Sequence, residues 1–144
     1  MIDIAPLAPG DRAEWEELAR GYKAFYRTEL ADERYAATWA ALLAGDRVHG
    51  LAARMDGEIV GIAHYLFHAQ TWGPDACYLQ DLFTAEKARG QGVATALIDA
   101  VAEAARARGA RKFYWLTKKD NERARALYDR IARSKGFLRY DYPL

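Results

Sequence analysis

Cysteine occurs once in the 144 residues, at position 77, so no internal disulfide framework can form. A reducing, cytoplasmic setting is expected, and Cys77 lies in a strand pattern that suits a buried, inert thiol. Excess charge of either sign is also missing. The chain carries 21 basic and 20 acidic residues, a net charge of +1, which gives no electrostatic case for nucleic acid or an anionic membrane. There is no run of 18 apolar residues and no signal peptide, so neither a membrane span nor export by that route is expected. His64 and His68 stand about 13 Å apart along one strand, too far to share an ion, and no third ligand cluster accompanies them. No metal site is expected. Repeats, low-complexity tracts and linkers are absent, and the length suits one domain, residues 1–144, with one sizeable core.

What is present is an ordered series of amphipathic segments. A first strand, Ile2 to Ala5, ends at Pro6. Asp11 then caps a helix carrying Trp15, Leu18, Ala19, Tyr22 and Phe25 at helical spacing. A second helix follows Asp32, with Tyr35, Trp39, Leu42 and Leu43 expected on its buried face, and ends at Gly45. Val48–Met55 and Glu58–Gln70 form a hairpin, because Asp56-Gly57 supplies the positive φ angles of a tight turn. Trp72-Gly73-Pro74 makes a second turn into a strand from Cys77 to Thr84. The next helix carries Val93, Leu97, Ile98 and Val101 and runs to Gly109, and Phe113–Thr117 is apolar on both faces, as in a buried strand. Strand, helix, strand in that order predicts parallel pairing between 78–84 and 111–117.

The sequence Arg89-Gly90-Gln91-Gly92-Val93-Ala94-Thr95 joins strand to helix. Its glycines leave amides uncovered by any Cβ, and the first helical N–H groups lack partners at the positive end of the dipole. Such a loop holds phosphate or pyrophosphate. The spacing excludes a dinucleotide fingerprint, since Thr95 stands where G-x-G-x-x-G needs its third glycine, and no G-x-x-x-x-G-K-[ST] occurs.

What fits is R-x-x-G-x-A at Arg89, Gly92 and Ala94 after the strand Leu79-Gln80-Asp81-Leu82-Phe83. Downstream, Asn121, Ala124, Leu127 and Tyr128 form N-x-x-A-x-x-L-Y, followed by Gly136-Phe137. Together these resemble the two motif blocks of the GCN5-related N-acetyltransferases, most nearly the polyamine and small-amine branch, over almost the whole chain. The resemblance implies an α/β fold with a mixed, mostly antiparallel sheet, a splayed parallel strand pair and about four helices. It implies acetyl-CoA as cofactor, with pantetheine and the acetyl group held by Leu82, Phe83 and Thr84. Arg89 and the loop from Gly90 through Gln91, Gly92, Val93 and Ala94 to Thr95 would hold the pyrophosphate, and Asn121 would reach pantetheine. Tyr128 would protonate the leaving thiolate. Spacing adds that Asn121 and Tyr128 share one helix face.

Acetyl transfer needs a neutral amine, yet a lysine-like amine has a pKa of about 10.4, so some group must take its proton. Gln80 stands where some relatives in that branch carry a glutamate, and an amide cannot serve. Strand alternation turns the adjacent Asp81 to the other sheet face. The base stays open among Glu29, Asp32, Glu33, a tyrosine and a water chain, and His64 and His68 could relay a proton. Tyr22, Tyr26, Glu29, Asp32 and Glu33 form an aromatic and acidic group that would welcome a cationic amine. The candidate acceptor-site residues are Tyr26, Glu29, Gln80 and Asp81, for a small-molecule amine or a lysine. The alternatives are a non-catalytic acetyl-CoA sensor, or an acyltransferase acting on a protein N-terminus, an aminoglycoside or an amino acid. The resembled family usually has two strands after its last helix, whereas Phe137–Leu144 supplies one at most. A homodimer in which a second copy covers the sheet edge is expected on that ground.

Overall fold

A computed structural model describes all 144 residues. Five strands form one sheet in the order β1 (Asp3–Pro6), β2 (His49–Met55), β3 (Glu58–Gln70), β4 (Gly73–Thr84) and β5 (Phe113–Tyr114). The first four are antiparallel, and β4 and β5 are parallel. Helices α1 (Arg12–Phe25) and α2 (Asp32–Ala44) lie between β1 and β2, α3 (Val93–Ala107) between β4 and β5, and α4 (Glu122–Ile131) follows β5. This is the expected mixed α/β sheet with four helices.

The sheet separates two cores. On one face α3 buries Val93, Leu97, Ile98 and Val101 against Leu51, Ala53, Val60, Ala63, Cys77 and Leu79. On the other, Trp15 and Ala19 of α1 and Tyr35, Trp39 and Leu42 of α2 pack on Ala52, Ile59 and Ile62. The period-2 pattern of β2 and β3 feeds both cores. One glycine sets the spacing between β3 and α3. A Cβ on Gly61 would stand 2.6 Å from Val93 Cγ1 and 3.1 Å from Leu97 Cδ1, so the first turn of α3 rests directly on its backbone.

The turn chemistry agrees with the expectation. Asp56 and Gly57 have φ of 51° and 81°, and Gly45 ends α2 at φ 64°. Asp11 departs from it. It stands at the N-terminus of α1, but its carboxylate accepts from the Ala8 N–H and the Arg54 guanidinium and caps no helical amide. The Arg54 hydrogen bond is the main cause holding Asp11 below its usual carboxylate range. A part-buried ion pair across to β2 outcompetes a local cap.

The parallel pair is shorter than the apolar run implied. Only Cys77–Phe113 and Tyr78–Tyr114 are in register, with the Cys77 N–H donating to the Lys112 carbonyl. Beyond them the strands part, and Trp115–Thr117 has no ladder partner. β4 in turn begins four residues before Cys77. Pro74 is tolerated there because β5 does not reach it, so its missing N–H costs no ladder bond. Cys77 is fully buried, and burial pushes its thiol up to about 11. No helix is long and apolar enough to cross a membrane.

Candidate active site: a cleft at the parting strands

The divergence of β4 and β5 opens a cleft of about 540 Å³. Leu79, Gln80, Leu82, Phe83 and Thr84 line it from β4, and Trp115, Leu116 and Thr117 from the unpaired continuation of β5. Its outer wall is the glycine loop and the start of α3, with Arg89, Gly90, Gly92, Val93, Ala94 and Thr95. Asn121, which caps α4, and Ala124, Leu127 and Tyr128 of α4 close the opposite side, and Tyr22 and Phe25 of α1 with the following Tyr26 its end.

Gly90 and Gly92 have φ of 78° and 86°, a left-handed backbone that glycine adopts without cost. A Cβ built on either meets no atom within 4 Å, so the surface above the loop is open to a ligand. Gly92 is also the residue from which α3 starts, which points the free amides of the first turn into this space. A long open trough ending on such amides fits a pantetheine arm with its pyrophosphate.

Gln91, Glu29 and Asp81 do not join the others in the cleft. The Gln91 amide folds back to donate to the Lys87 carbonyl at 3.3 Å, and Glu29 is exposed in the α1–α2 connection. Asn121 does two things at once: its Oδ1 accepts from the Ala124 N–H at 3.3 Å, capping α4, while the residue lines the cleft. Tyr128 packs edge-on against Trp115, ring centroids 5.3 Å apart. Burial first, then the neighbouring Tyr26, pushes its phenol above the ordinary value.

Asp81 corrects the alternation argument. His64 pairs with Asp81 but Tyr65 pairs with Leu79, so Gln80 is an extra residue in β4, a β-bulge. Inward parity changes across it. Cys77 and Leu79 face the α3 core and Leu82 packs against that same core, while Phe83 packs on the α1–α2 side. Gln80 and Asp81 therefore both border a second cavity, of about 750 Å³, beneath α1 and α2. The two cavities share Tyr22, Gln80 and Phe83 as walls.

Within the second cavity the Trp15 indole N–H donates to His64 Nε2 at 2.9 Å, and His64 Nδ1 lies 3.0 Å from Asp81 Oδ2. Burial works to raise the Asp81 pKa, but the His64 hydrogen bond, with Lys23 and Tyr22 nearby, outweighs it and holds the carboxyl below its usual value. Desolvation, helped by Asp81, raises Tyr22 well above an ordinary phenol. His68 is tied elsewhere, to the Tyr114 hydroxyl at 2.8 Å. Sequence reasoning missed Trp15 and His64 as a polar pair, since 49 residues separate them. The one signal was a histidine between the apolar residues Ile62–Ala63 and Tyr65–Phe67 of β3.

A cleft between parting parallel strands, floored by a glycine loop at a helix start, is the arrangement of an acyl-CoA-dependent transferase. The sequence profile of the acetyltransferase (GNAT) family matches residues 14–132. The chain belongs to this family and is an acetyl-CoA-dependent N-acetyltransferase. It is 32% identical over 135 residues to the D-amino-acid N-acetyltransferase HPA3 of Saccharomyces cerevisiae, covering 91% of this chain and 84% of that one. It is also 32% identical over 89 residues to thialysine N-epsilon-acetyltransferase of Mus musculus, covering 58% of this chain but only 52% of the mouse protein. Among solved structures, ribosomal-protein-alanine N-acetyltransferase from Brucella melitensis biovar Abortus 2308 superposes with a TM-score of 0.84. It is 28% identical and aligns over 100% of this chain and 99% of its own. The aminoglycoside N-acetyltransferase AAC(6')-Iy in complex with CoA shares the fold at a TM-score of 0.88 and 20% identity, over 100% and 95% of the two chains.

Proposed function

We propose that this single domain transfers acetyl from acetyl-CoA to a primary amine of a small molecule, polyamine-like or amino-acid-like, or of a lysine side chain, in a ternary complex. The observation that carries this reading is the meeting of two cavities at Tyr22, Gln80 and Phe83. One is shaped for the cofactor, and the other gives an amine its own route to the same point. Acetyl-CoA, when bound, supplies an acetyl group activated as a thioester.

The chain's residues then divide the work. Arg89 and the amides from Gly90 to Thr95 hold the pyrophosphate, and backbone groups of Leu82, Phe83 and Thr84 align the acyl end. The Asn121 side-chain NH2 group is available to pantetheine while its oxygen caps α4. Tyr128 keeps its proton at neutral pH and donates it to the departing sulfur. Gln80, an uncharged amide, orients the acceptor and takes no proton; the amine's protons leave through a water chain in the open cleft, from which Tyr128 is reprotonated. Tyr26, Gln80 and Asp81 form the acceptor side, with Glu29 at its exposed margin.

Among amines, the second cavity favours one that also carries an anionic group. Its lining includes Lys23, Arg34, Arg47 and Arg108 beside only two carboxylates, Asp46 and Asp81. A polyamine would meet like charges there, whereas an amino acid meets both signs. The names of the yeast and mammalian relatives, which act on D-amino acids and on thialysine, agree with that preference.

Exposed apolar side chains at Phe137, Leu138, Tyr140 and Tyr142 support a homodimer in which this segment covers another copy's sheet edge. The single buried thiol suits a cytoplasmic setting. The test is a thiol-release assay with acetyl-CoA and a panel of polyamines, lysine derivatives and D- and L-amino acids. Turnover is expected, highest with an amino acid, and absence of release with every amine would overturn the reading.

A further inference from the structure

His64 sits between a donor and an acceptor, and that fixes its chemistry. Nε2 receives the Trp15 indole N–H at 2.9 Å, so this nitrogen carries no proton. The neutral ring's proton is then on Nδ1, where it points to Asp81 Oδ2 at 3.0 Å. Trp15 is itself immobilised: it is 1% exposed and packs on Trp39 at a centroid distance of 5.1 Å. With Nε2 occupied, His64 cannot take a proton from an amine through that atom. What it can do is hold a carboxylate still.

Asp81 needs holding. It follows the bulge at Gln80, where strand alternation no longer dictates which way a side chain leaves the sheet. Its side chain retains 24% exposure and borders the second cavity beside Tyr22, Lys23 and Gln80. We infer that Trp15 and His64 are positioning residues that, through one imidazole tautomer, hold Asp81 as the fixed carboxylate receiving the acceptor's ammonium group. This rests on the N-acetyltransferase reading of the adjoining cleft. It says what holds Asp81, already on the proposed acceptor side, in place, and it removes His64 from the candidate proton relays. It also accounts for a histidine in a strand that otherwise feeds two apolar cores.

The test compares variants at saturating acetyl-CoA, with cofactor affinity measured separately by calorimetry. Loss of a hydrogen bond to a charged group is worth a factor of about 10–100. Asp81→Asn should raise the acceptor KM by that factor and leave acetyl-CoA affinity unchanged. His64→Leu should raise it less, by about 5- to 30-fold on the same scale. His64→Asn, which places an amide N–H near the Nδ1 position, should recover most of that loss. A merely structural role for His64 would move cofactor affinity and turnover together and would show no rescue.

A folded His64→Leu protein with wild-type acceptor KM would overturn the inference, as would a turnover loss at unchanged KM. The unaltered protein gives an independent readout: long-range 15N–1H spectra should show the Nδ1–H tautomer. An Nε2–H tautomer in an active enzyme would sink the inference alone. Absence of turnover with any amine would sink the underlying reading and the inference with it.

Discussion

On one side of Gln80 the cofactor cleft is assembled largely from backbone, with two left-handed glycines, the free amides at the start of α3 and the unpaired edges of two parting strands. On the other side, the second cavity, proposed for the acceptor, depends on side chains drawn from distant places: Trp15 and Tyr22 from α1, His64 from β3 and Asp81 from β4. A backbone site is specified by short-range sequence, because glycine placement and a helix start are local matters. A side-chain site is specified by packing between elements. The first therefore recurs as a motif, whereas the second can be re-tuned by single substitutions that leave the first intact. An enzyme with one constant donor and variable acceptors is well served by that division.

The comparison breaks most sharply at Tyr128, the proposed acid between the two sites. Tyr128→Phe keeps the ring against Trp115, so acetyl-CoA affinity and acceptor KM should survive while kcat falls by about 10²–10⁴-fold. Steady-state kinetics with calorimetry separate these quantities, and an unchanged kcat would place the acid elsewhere.

Gly92→Val attacks the cofactor side alone. The new Cβ meets nothing in the free protein, so the cost is the left-handed φ of 86° and the blocked approach to the phosphates. The acetyl-CoA Kd should rise by about 10- to 100-fold, reflecting roughly 1–3 kcal/mol of strain and lost contact. Calorimetry showing unaltered affinity in the folded variant would remove the loop from the cofactor site.

Gly61→Ala tests the scaffold that both sides share. Its methyl group would enter the 2.6 Å gap to Val93 and come 3.3 Å from the Phe83 carbonyl oxygen. Overpacking of this kind should lower unfolding free energy by about 1–3 kcal/mol in urea titration. A variant as stable as the parent would show that α3 can lift off β3 freely.

The smallest effect is expected at Asn121. Asn121→Ala removes the cap on α4, for about 1 kcal/mol of stability. If the side-chain NH2 group also holds pantetheine, cofactor affinity should fall in the same variant, whereas Asn121→Ser, which can still cap, should lose affinity with little stability. Wild-type cofactor affinity in Asn121→Ser would mean that the cap alone explains the residue.

Much of this molecule was legible in its residues. The hairpin at Asp56-Gly57, the end of α2 at Gly45, the left-handed glycine loop at Gly90 and Gly92 and the shared face of Asn121 and Tyr128 all follow from φ requirements or helical period. These act within a few residues, so the local sequence determines them. The length of β5, the bulge at Gln80, the seat of α3 on Gly61 and the Trp15–His64–Asp81 chain were decided only by tertiary structure. A strand ends where its neighbour diverges, and an inserted residue is invisible until two strands are placed in register. A histidine's tautomer is settled by a donor 49 residues away. Asp81 shows the consequence: strict alternation turned it away from Gln80, and one bulged residue brought both to the same cavity.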